Sequence, residues 1–223
     1  MKFISFKHDN IEKFGIIENN LITDLTGKIG AASNLKELIK IEKIKEAKGY
    51  VVSNPGSIKT EEIEYLPLIP NPGKIICVGL NYADHAAESG LEVPKTPLFW
   101  LKSPESILPD GGKIDIPFPD HRVDFEAELA VVIGRRIRNV TPKAAARYIL
   151  GYTTAQDISD RTIQNSESQW ARAKSFDTFT PLGPYIETKI DPDCLTIQLF
   201  KNGQLCQNSS TAQMIFTCSD LVS

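Results

Sequence analysis

The sequence predicts an α+β protein that is mainly β, and three observations support this. The composition is that of an ordinary compact globular protein, with 41% hydrophobic and 24% charged residues in a chain of 223. Apolar runs of strand length outnumber helical patterns, and they do not alternate with helices as they do in a doubly wound sheet. Turn-forming Asn, Asp, Gly and Pro separate these runs. The length suits one large domain or a main domain with a small appendage.

Residues 1–66 are predicted to form a small N-terminal domain that is rich in β structure. The strand-like runs KFISF, FGIIE and LITDL follow one another, separated by Asp-Asn and Asn-Asn turns. This order is typical of a β-meander. A helix is then predicted over Leu35 to Lys48, because Asn34 is a suitable N-cap, apolar residues recur along one side, and Gly49 is placed to end it.

The second domain is predicted to span residues 67–223. Three prolines between Leu66 and Gly73 exclude a helix and suit an extended connection, so the domain boundary is placed there. The strand KIICVGL, the helical stretch YADHAAESG and the strand PLFWLK follow. The run DFEAELAVVIG is apolar at nearly every later position, which predicts a strand buried on both faces.

The remaining elements are a helix, a strand and a hairpin. Thr141 is placed as the cap of the helix KAAARYIL, Gly151 is expected to close it, and the strand YTTAQDI then reaches Asp157. The runs LTIQLFK and QLCQ flank Asn202-Gly203, the dipeptide that type I′ turns favour. This pattern predicts a β-hairpin.

Charge, hydropathy and cysteine spacing exclude several classes of function. The formal net charge is -3 with scattered Lys and Arg, so no basic stripe is present to bind nucleic acid. The opening residues lack the apolar stretch of a signal peptide, and no segment approaches the roughly 18 apolar residues of a membrane helix. We therefore expect a cytoplasmic protein without a membrane partner. The four cysteines form no CxxC pair, which argues against a zinc site and a redox pair.

Glu126 and Glu128 stand at the beginning of the run DFEAELAVVIG. Because side chains alternate along a strand, the two carboxylates point the same way, with α-carbons about 6.5 to 7 Å apart. Such a pair next to apolar positions is costly to desolvate unless a cation or a proton relieves the repulsion. Asp157 ends the next long strand and is a plausible third oxygen ligand, and such a set suits Mg²⁺ or Mn²⁺ better than zinc. The alternative is that both glutamates lie on the solvent face of an edge strand.

His85 and Glu88 are three residues apart in a helical stretch, which makes them neighbours on one face. A carboxylate that holds one imidazole nitrogen leaves the other free to act as a general base near neutral pH. The alternative is a surface helix that carries one His and one Glu without a catalytic role.

Lys174 and Arg161 are candidate cations for an anionic substrate. Lys174 lies among aromatic residues, and a partly desolvated lysine can bind a carboxylate or stabilise an enolate. A solvated loop lysine is the alternative. Arg161 has a forked guanidinium suited to a substrate carboxylate, although it could equally pair with Asp160 or Glu167.

Several motifs in this order resemble the fumarylacetoacetate hydrolase family: KIICVGLNYADHAAE, PLFWLKSP, VDFEAELAVVIG, GYTTAQDISDRTIQ and AKSFDTFTPLGP. The resemblance covers residues 66 to 218 and implies a mixed β-roll catalytic domain behind a small N-terminal domain. It also implies a homodimer, and a site for Mg²⁺ or Mn²⁺, with Ca²⁺ as a further option, formed by Glu126, Glu128 and Asp157.

The resemblance further implies a reaction on a small 2-oxo or dioxo acid. In a hydrolase of the acylpyruvate or fumarylpyruvate type, His85 and Glu88 activate water, Lys174 steadies the oxyanion, and the metal stabilises an enolate as a carbon–carbon bond breaks. A decarboxylase or an isomerase could use the same enolate, so the resemblance leaves these alternatives open.

The chain departs from the family pattern at its C-terminus. Family members continue for several dozen residues, whereas this sequence ends in CSDLVS, with Ser219 placed like an N-cap. We therefore expect a truncated catalytic domain whose β-roll has an open edge. A non-catalytic remnant that binds a metal or a small acid is the third hypothesis.

Overall fold

A computed structural model describes residues 1–88, 90 and 92–223 of the chain. The strands are β1 (Lys2–His8), β2 (Ile11–Glu18), β3 (Leu21–Asp24), β4 (Ile58–Lys59), β5 (Glu64–Tyr65), β6 (Ile75–Gly79), β7 (Leu98–Lys102), β8 (Ile107–Pro109), β9 (Val123–Asp124), β10 (Ala127–Ile133), β11 (Ile149–Gln156), β12 (Ser159–Asp160), β13 (Thr180–Glu187), β14 (Thr196–Lys201) and β15 (Gln204–Ser210). The helices are α1 (Leu35–Lys40), α2 (Ile44–Ser53), α3 (Ala83–Glu88), α4 (Pro142–Ala145), α5 (Arg161–Ser166), α6 (Ala171–Lys174) and α7 (Cys218–Val222).

A nine-stranded sheet forms the main body of the fold, which confirms the predicted α+β, mainly β class. Its strand order is β10-β11-β13-β1-β2-β3-β4, with β5 paired to β1 and β8 paired to β13. The β8–β13 pair is parallel, whereas β10–β11, β11–β13 and the β1–β2–β3–β4 pairs are antiparallel. Three smaller two-stranded sheets are β6–β7, β9–β12 and β14–β15.

The sheet runs through both predicted domains. β1 pairs with β13, where Phe3 lies opposite Ile186, and both side chains belong to one buried core that also contains Leu150. The meander of β1, β2 and β3 is present as predicted. Because hydrogen bonds and apolar packing cross from one unit to the other, the division at residue 66 remains a prediction.

The predicted helix over Leu35 to Lys48 is in fact two helices, α1 and α2. Asn34 does cap α1, since its side chain accepts a hydrogen bond from the backbone N–H of Glu37 at 3.0 Å. The backbone of Glu42 then adopts a positive φ of 56°, which breaks the helical path. Gly49 lies inside α2 and does not end it.

Two predictions about the second domain were wrong. The strand of DFEAELAVVIG is not buried on both faces, because β10 is the last strand on its side of the sheet and its residues are mostly half-buried. Gly151 does not close a helix but lies inside β11, where a β-carbon would stand 2.3 Å from the carbonyl oxygen of Glu187. The strand pairing leaves room there for glycine alone.

The predicted hairpin is confirmed, with β14 and β15 joined by Asn202 and Gly203, both at positive φ. The last helix, α7, begins two residues earlier than expected, because its N-cap is Thr217, which forms a capping box with Asp220, and Ser219 lies inside the helix. Within the described ranges, no helix has the length and apolar character needed to cross a bilayer.

Candidate active site

The three acidic residues of the predicted metal site lie on neighbouring strands. Glu126 immediately precedes β10, Glu128 lies within β10, and Asp157 follows β11. The backbone N–H of Asp157 donates to the carbonyl oxygen of Glu126 at 2.9 Å, which continues the β10–β11 ladder by one step. Cross-strand residues of an antiparallel pair are close neighbours, so the ladder brings the carboxylates of Glu126 and Asp157 together.

Lys174 occupies the space between these two carboxylates. Its ammonium nitrogen lies 3.1 Å from Glu126 Oε2, 2.7 Å from Asp157 Oδ2 and 2.7 Å from Ser159 Oγ. The ring of Trp100 lies 5.0 Å from the same nitrogen. With a side chain only 2% exposed, Lys174 is a buried cation and not a solvated loop lysine.

Lys102 is a second buried cation, which the sequence reasoning missed. Its ammonium donates to Asp157 Oδ1 at 2.6 Å and to the carbonyl oxygen of Phe179 at 2.8 Å. Burial lowers the pKa of Lys102, and the neighbouring Asp157 carboxylate opposes that shift. Strand alternation in PLFWLK puts Lys102 on the same face as Trp100, but only the structure shows that this face meets Lys174.

Glu128 adds a third carboxyl group to this cluster. Burial, followed by the charges of Glu126 and Asp157, raises the pKa of the Glu128 carboxyl to about 8. The three carboxylates therefore influence one another, as the sequence pattern indicated. Over the part of the chain that the structure describes, however, no three His, Cys, Asp or Glu side chains surround one point as metal ligands do.

The donor set nevertheless fits a hard divalent cation. All three candidate ligands are carboxylates, the chemistry that Mg²⁺ and Mn²⁺ prefer. A cavity of about 780 Å³ lies against the strand face that carries Glu128 and Asp157. Thr153 lines this cavity, and its buried hydroxyl has no hydrogen-bond partner among the described residues. The site thus offers an unpaired polar atom beside its acidic groups, as expected where a polar ligand binds.

The guanidinium of Arg161 donates hydrogen bonds to three other side chains of the protein. Its Nε donates to Asp124 Oδ2 at 3.0 Å, its Nη1 donates to Gln164 Oε1 at 2.7 Å, and its Nη2 donates to Glu126 Oε1. The expected alternatives, Asp160 and Glu167, have other partners. A role of Arg161 in substrate binding stays a prediction, whereas its pairing with Glu126 is a feature of the structure.

His85 and Glu88 both lie on α3 with exposed side chains. No ion pair joins the two in the described structure, so the dyad stays a prediction. The residues before them tie α3 to the site. Tyr82 bridges to Met214, and burial followed by the charge of Glu128 raises the pKa of Tyr82. This connection places the beginning of α3 beside the acidic cluster.

The structure brings His121 together with a buried carboxylate, a pair that no sequence pattern indicated. His121 Nδ1 lies 2.7 Å from Asp160 Oδ2, and the Asp160 side chain also accepts from the backbone N–H of Ile163 at the beginning of α5. Ser159 and Asp160 alternate in β12, so Ser159 meets Lys174 while Asp160 meets His121 on the opposite side. His121 therefore anchors α5 from behind the site.

Residues 74–223 match the family model described as fumarylacetoacetate (FAA) hydrolase, C-terminal. The fold and the acidic site thus define a class of proteins whose named members process small organic acids. The chain belongs to the fumarylacetoacetate hydrolase family.

Individual relatives agree with this assignment. The chain is 43% identical to an uncharacterised protein of Methanocaldococcus jannaschii, over 83% of this chain and 78% of that protein. It is 42% identical to the mitochondrial oxaloacetate tautomerase of Xenopus laevis, over 80% of this chain and 58% of that protein. The chain thus spans less than two thirds of the Xenopus relative.

A solved structure shows the same fold. It is a fumarylacetoacetate hydrolase from Exiguobacterium antarcticum, 29% identical, with a TM-score of 0.87 over 100% of this chain and 79% of that chain.

Proposed function

We propose that this protein is a divalent-metal-dependent hydrolase that cleaves a carbon–carbon bond in a small 2-oxo or dioxo acid of the acylpyruvate or fumarylpyruvate type. One observation carries the proposal. Glu128, Asp157 and the buried Lys102 line one cavity, and the buried Lys174 links Asp157 to Glu126, in a chain of the fumarylacetoacetate hydrolase family. Buried ionisable groups gathered in this way are more common at binding and catalytic sites than elsewhere in a protein.

Glu126, Glu128 and Asp157 are the residues that would hold the ion, with Mg²⁺ or Mn²⁺ favoured and Ca²⁺ also suited to oxygen ligands. When bound, the ion would polarise the oxo acid and offset the negative charge that develops as the bond breaks. Lys174 supplies positive charge between two of these carboxylates, Glu126 and Asp157.

The protein's own groups supply the proton transfers. His85, oriented by Glu88, takes a proton from the attacking water, and Lys174 stabilises the oxyanion that forms at the attacked carbonyl. As the carbon–carbon bond breaks, the oxyanion collapses to a carboxylic acid, and the carbon of the departing enolate takes the proton from His85. The helix that carries His85 begins beside Glu128, which supports this assignment. Arg161 steers the substrate carboxylate while it holds Glu126 in place.

A tautomerase, isomerase or decarboxylase of oxo-dicarboxylic acids is the second candidate. The 42% identity to the Xenopus oxaloacetate tautomerase favours it. The exposure of His85 and Glu88 also favours it, because proton transfer within an enolised acid needs less of the water-activating step. The third hypothesis, a non-catalytic metal-binding remnant, predicts binding without turnover.

The test measures pyruvate release from an acylpyruvate with Mn²⁺, and keto–enol conversion of oxaloacetate by ultraviolet absorbance. Glu128→Gln should abolish both activities, whereas Glu61→Gln, which changes an exposed carboxylate of the N-terminal unit, should leave both unchanged. His85→Ala should slow hydrolysis by about 10²- to 10⁴-fold and spare most of the tautomerisation. Absence of turnover of any acylpyruvate, with conversion of oxaloacetate intact, would reject the hydrolase in favour of the second candidate.

A further inference from the structure

The two lysines that share Asp157 have different surroundings. Lys102 reaches Asp157 Oδ1 from a side chain that is 0% exposed, and its other acceptor is the backbone carbonyl of Phe179. Lys174 reaches Asp157 Oδ2, but its other partners are a hydroxyl and the carboxylate of Glu126. One lysine is thus anchored to the main chain, while the other lies among side chains of the acidic cluster.

The anchoring of Lys102 is well supported by its neighbours. Phe179 is fully buried, and its carbonyl also accepts from the backbone N–H of Ile158, next to Asp157 in the chain. The strand that carries Lys102, β7, is paired along its length with β6. A single ammonium therefore connects β7, the Phe179 backbone and the Asp157 carboxylate in one fixed arrangement.

We infer that Lys102 is a positioning residue of the site: it fixes Asp157 through Oδ1, so that Oδ2 faces Glu126 and remains available to an incoming ion. Lys174, which contacts Oδ2 itself, is the lysine that gives way when an ion binds. This inference rests on the proposed function, because it assumes that the acidic cluster holds a divalent cation.

The positioning role of Lys102 predicts a change in metal affinity that is opposite in direction to the change that charge alone predicts. Either lysine repels a dication, so on electrostatic grounds the loss of either should tighten metal binding. Loss of a group that orients a metal ligand instead weakens binding, typically by about 10- to 100-fold. A positioning role for Lys102 therefore requires the opposite result from the one that its charge would give.

Calorimetric titration with Mn²⁺ alone tests this on the full chain, with the wild type, Lys102→Met and Lys174→Met compared at one pH. Lys174→Met is the matched control, because it removes the same charge from the same carboxylate. We expect Lys102→Met to raise the Kd for Mn²⁺ by about 10- to 100-fold, and Lys174→Met to leave the Kd unchanged or lower it. Circular dichroism confirms that each variant is folded.

The outcomes separate the inference from the proposed function. Unchanged or tighter Mn²⁺ binding by folded Lys102→Met would overturn the inference alone. Failure of the wild type to take up Mn²⁺ would overturn the proposed function and the inference with it. If Lys102→Met does not fold, Lys102→Arg takes its place in the Mn²⁺ titration, because arginine keeps the charge of Lys102 but not the geometry of its ammonium group. Wild-type affinity in Lys102→Arg overturns the inference, and an affinity weakened about tenfold supports it.

Discussion

The buried carboxylate of Asp157 is neutralised by two buried lysines rather than by solvent. Asp157 is 6% exposed, and each of its oxygens accepts from a lysine whose side chain is itself nearly inaccessible. Removal of one partner from such a group leaves an uncompensated buried charge, which costs about 3 to 5 kcal/mol. Glu128 contacts neither lysine within ion-pair distance among the described pairs, so its charge is the least compensated of the three.

Stability of the metal-free protein should therefore fall as the pH rises through the range set by Glu128. The folded pKa of about 8 lies above the ordinary value of 4.5, so between these values the folded protein keeps a proton that the unfolded chain has lost. The protonated Glu128 carboxyl contributes its full amount to the free energy of unfolding below pH 4.5. This contribution is lost as the pH rises through about 8.

Urea denaturation with a chelator present, at pH 6 and pH 8, measures this effect. We expect the free energy of unfolding of the wild type to drop by about 1 to 2 kcal/mol more than that of Glu128→Gln, which has no proton to lose. Equal pH dependence in the two proteins would show that Glu128 does not titrate in this range.

The acidic residues could be predicted from the sequence, whereas the lysines that neutralise them could be predicted only in part. Glu126 and Glu128 stand out because charged groups in an apolar strand are rare and alternate positions share a face. Lys102 looks like an ordinary surface lysine at a strand end. Its burial depends on Asp157 and Phe179, which are 55 and 77 residues away in the chain, and no local pattern carries that information.

The local sequence pattern predicted the strands and turns more accurately than it predicted the ends of the helices. The Asn202-Gly203 turn was predictable because both positions need positive φ, which these two residues tolerate. Two glycines were misread as helix ends. Gly49 is tolerated inside α2, and Gly151 is required inside β11 by the closeness of β13, a strand that follows some thirty residues later. Glycine alone does not tell a helix end from a close approach between strands.

These two glycines give opposite expectations for the same substitution. In Gly151→Ala, the new β-carbon would meet the carbonyl oxygen of Glu187 at 2.3 Å, so β11 and β13 must separate and the free energy of unfolding should fall by about 1 to 3 kcal/mol. In Gly49→Ala, no atom outside the local helix backbone lies within 4 Å of the new carbon, and the helix should gain about 0.5 to 1 kcal/mol. Chemical denaturation of both variants measures the difference, and a neutral Gly151→Ala would contradict the strand register.

Several apolar side chains remain uncovered in the described part of the chain, which bears on how the molecule associates. β6 and β7 turn Lys102 and Trp100 toward Asp157 and Lys174 on their inner face. Their cross-strand pairs Ile76–Leu101 and Val78–Phe99 therefore lie on the outer face, where Ile76, Val78 and Phe99 also border the cavity of about 780 Å³. Exposed apolar groups of this kind mark interaction surfaces more often than isolated exposed residues do.

The family resemblance implied a homodimer, and we expect two copies of the chain to associate through this outer face of β6 and β7. Ile76, Phe99 and Leu101 are each more than half exposed, and burial of such side chains is the main driving force of association. Sedimentation equilibrium should give the mass of a dimer for the wild type and of a monomer for the double variant Phe99→Lys, Leu101→Lys. Val52→Lys, which alters a single apolar side chain exposed on α2, should leave the dimer intact. A monomeric wild type would exclude the dimer, and a dimeric double variant would move the contact to another face.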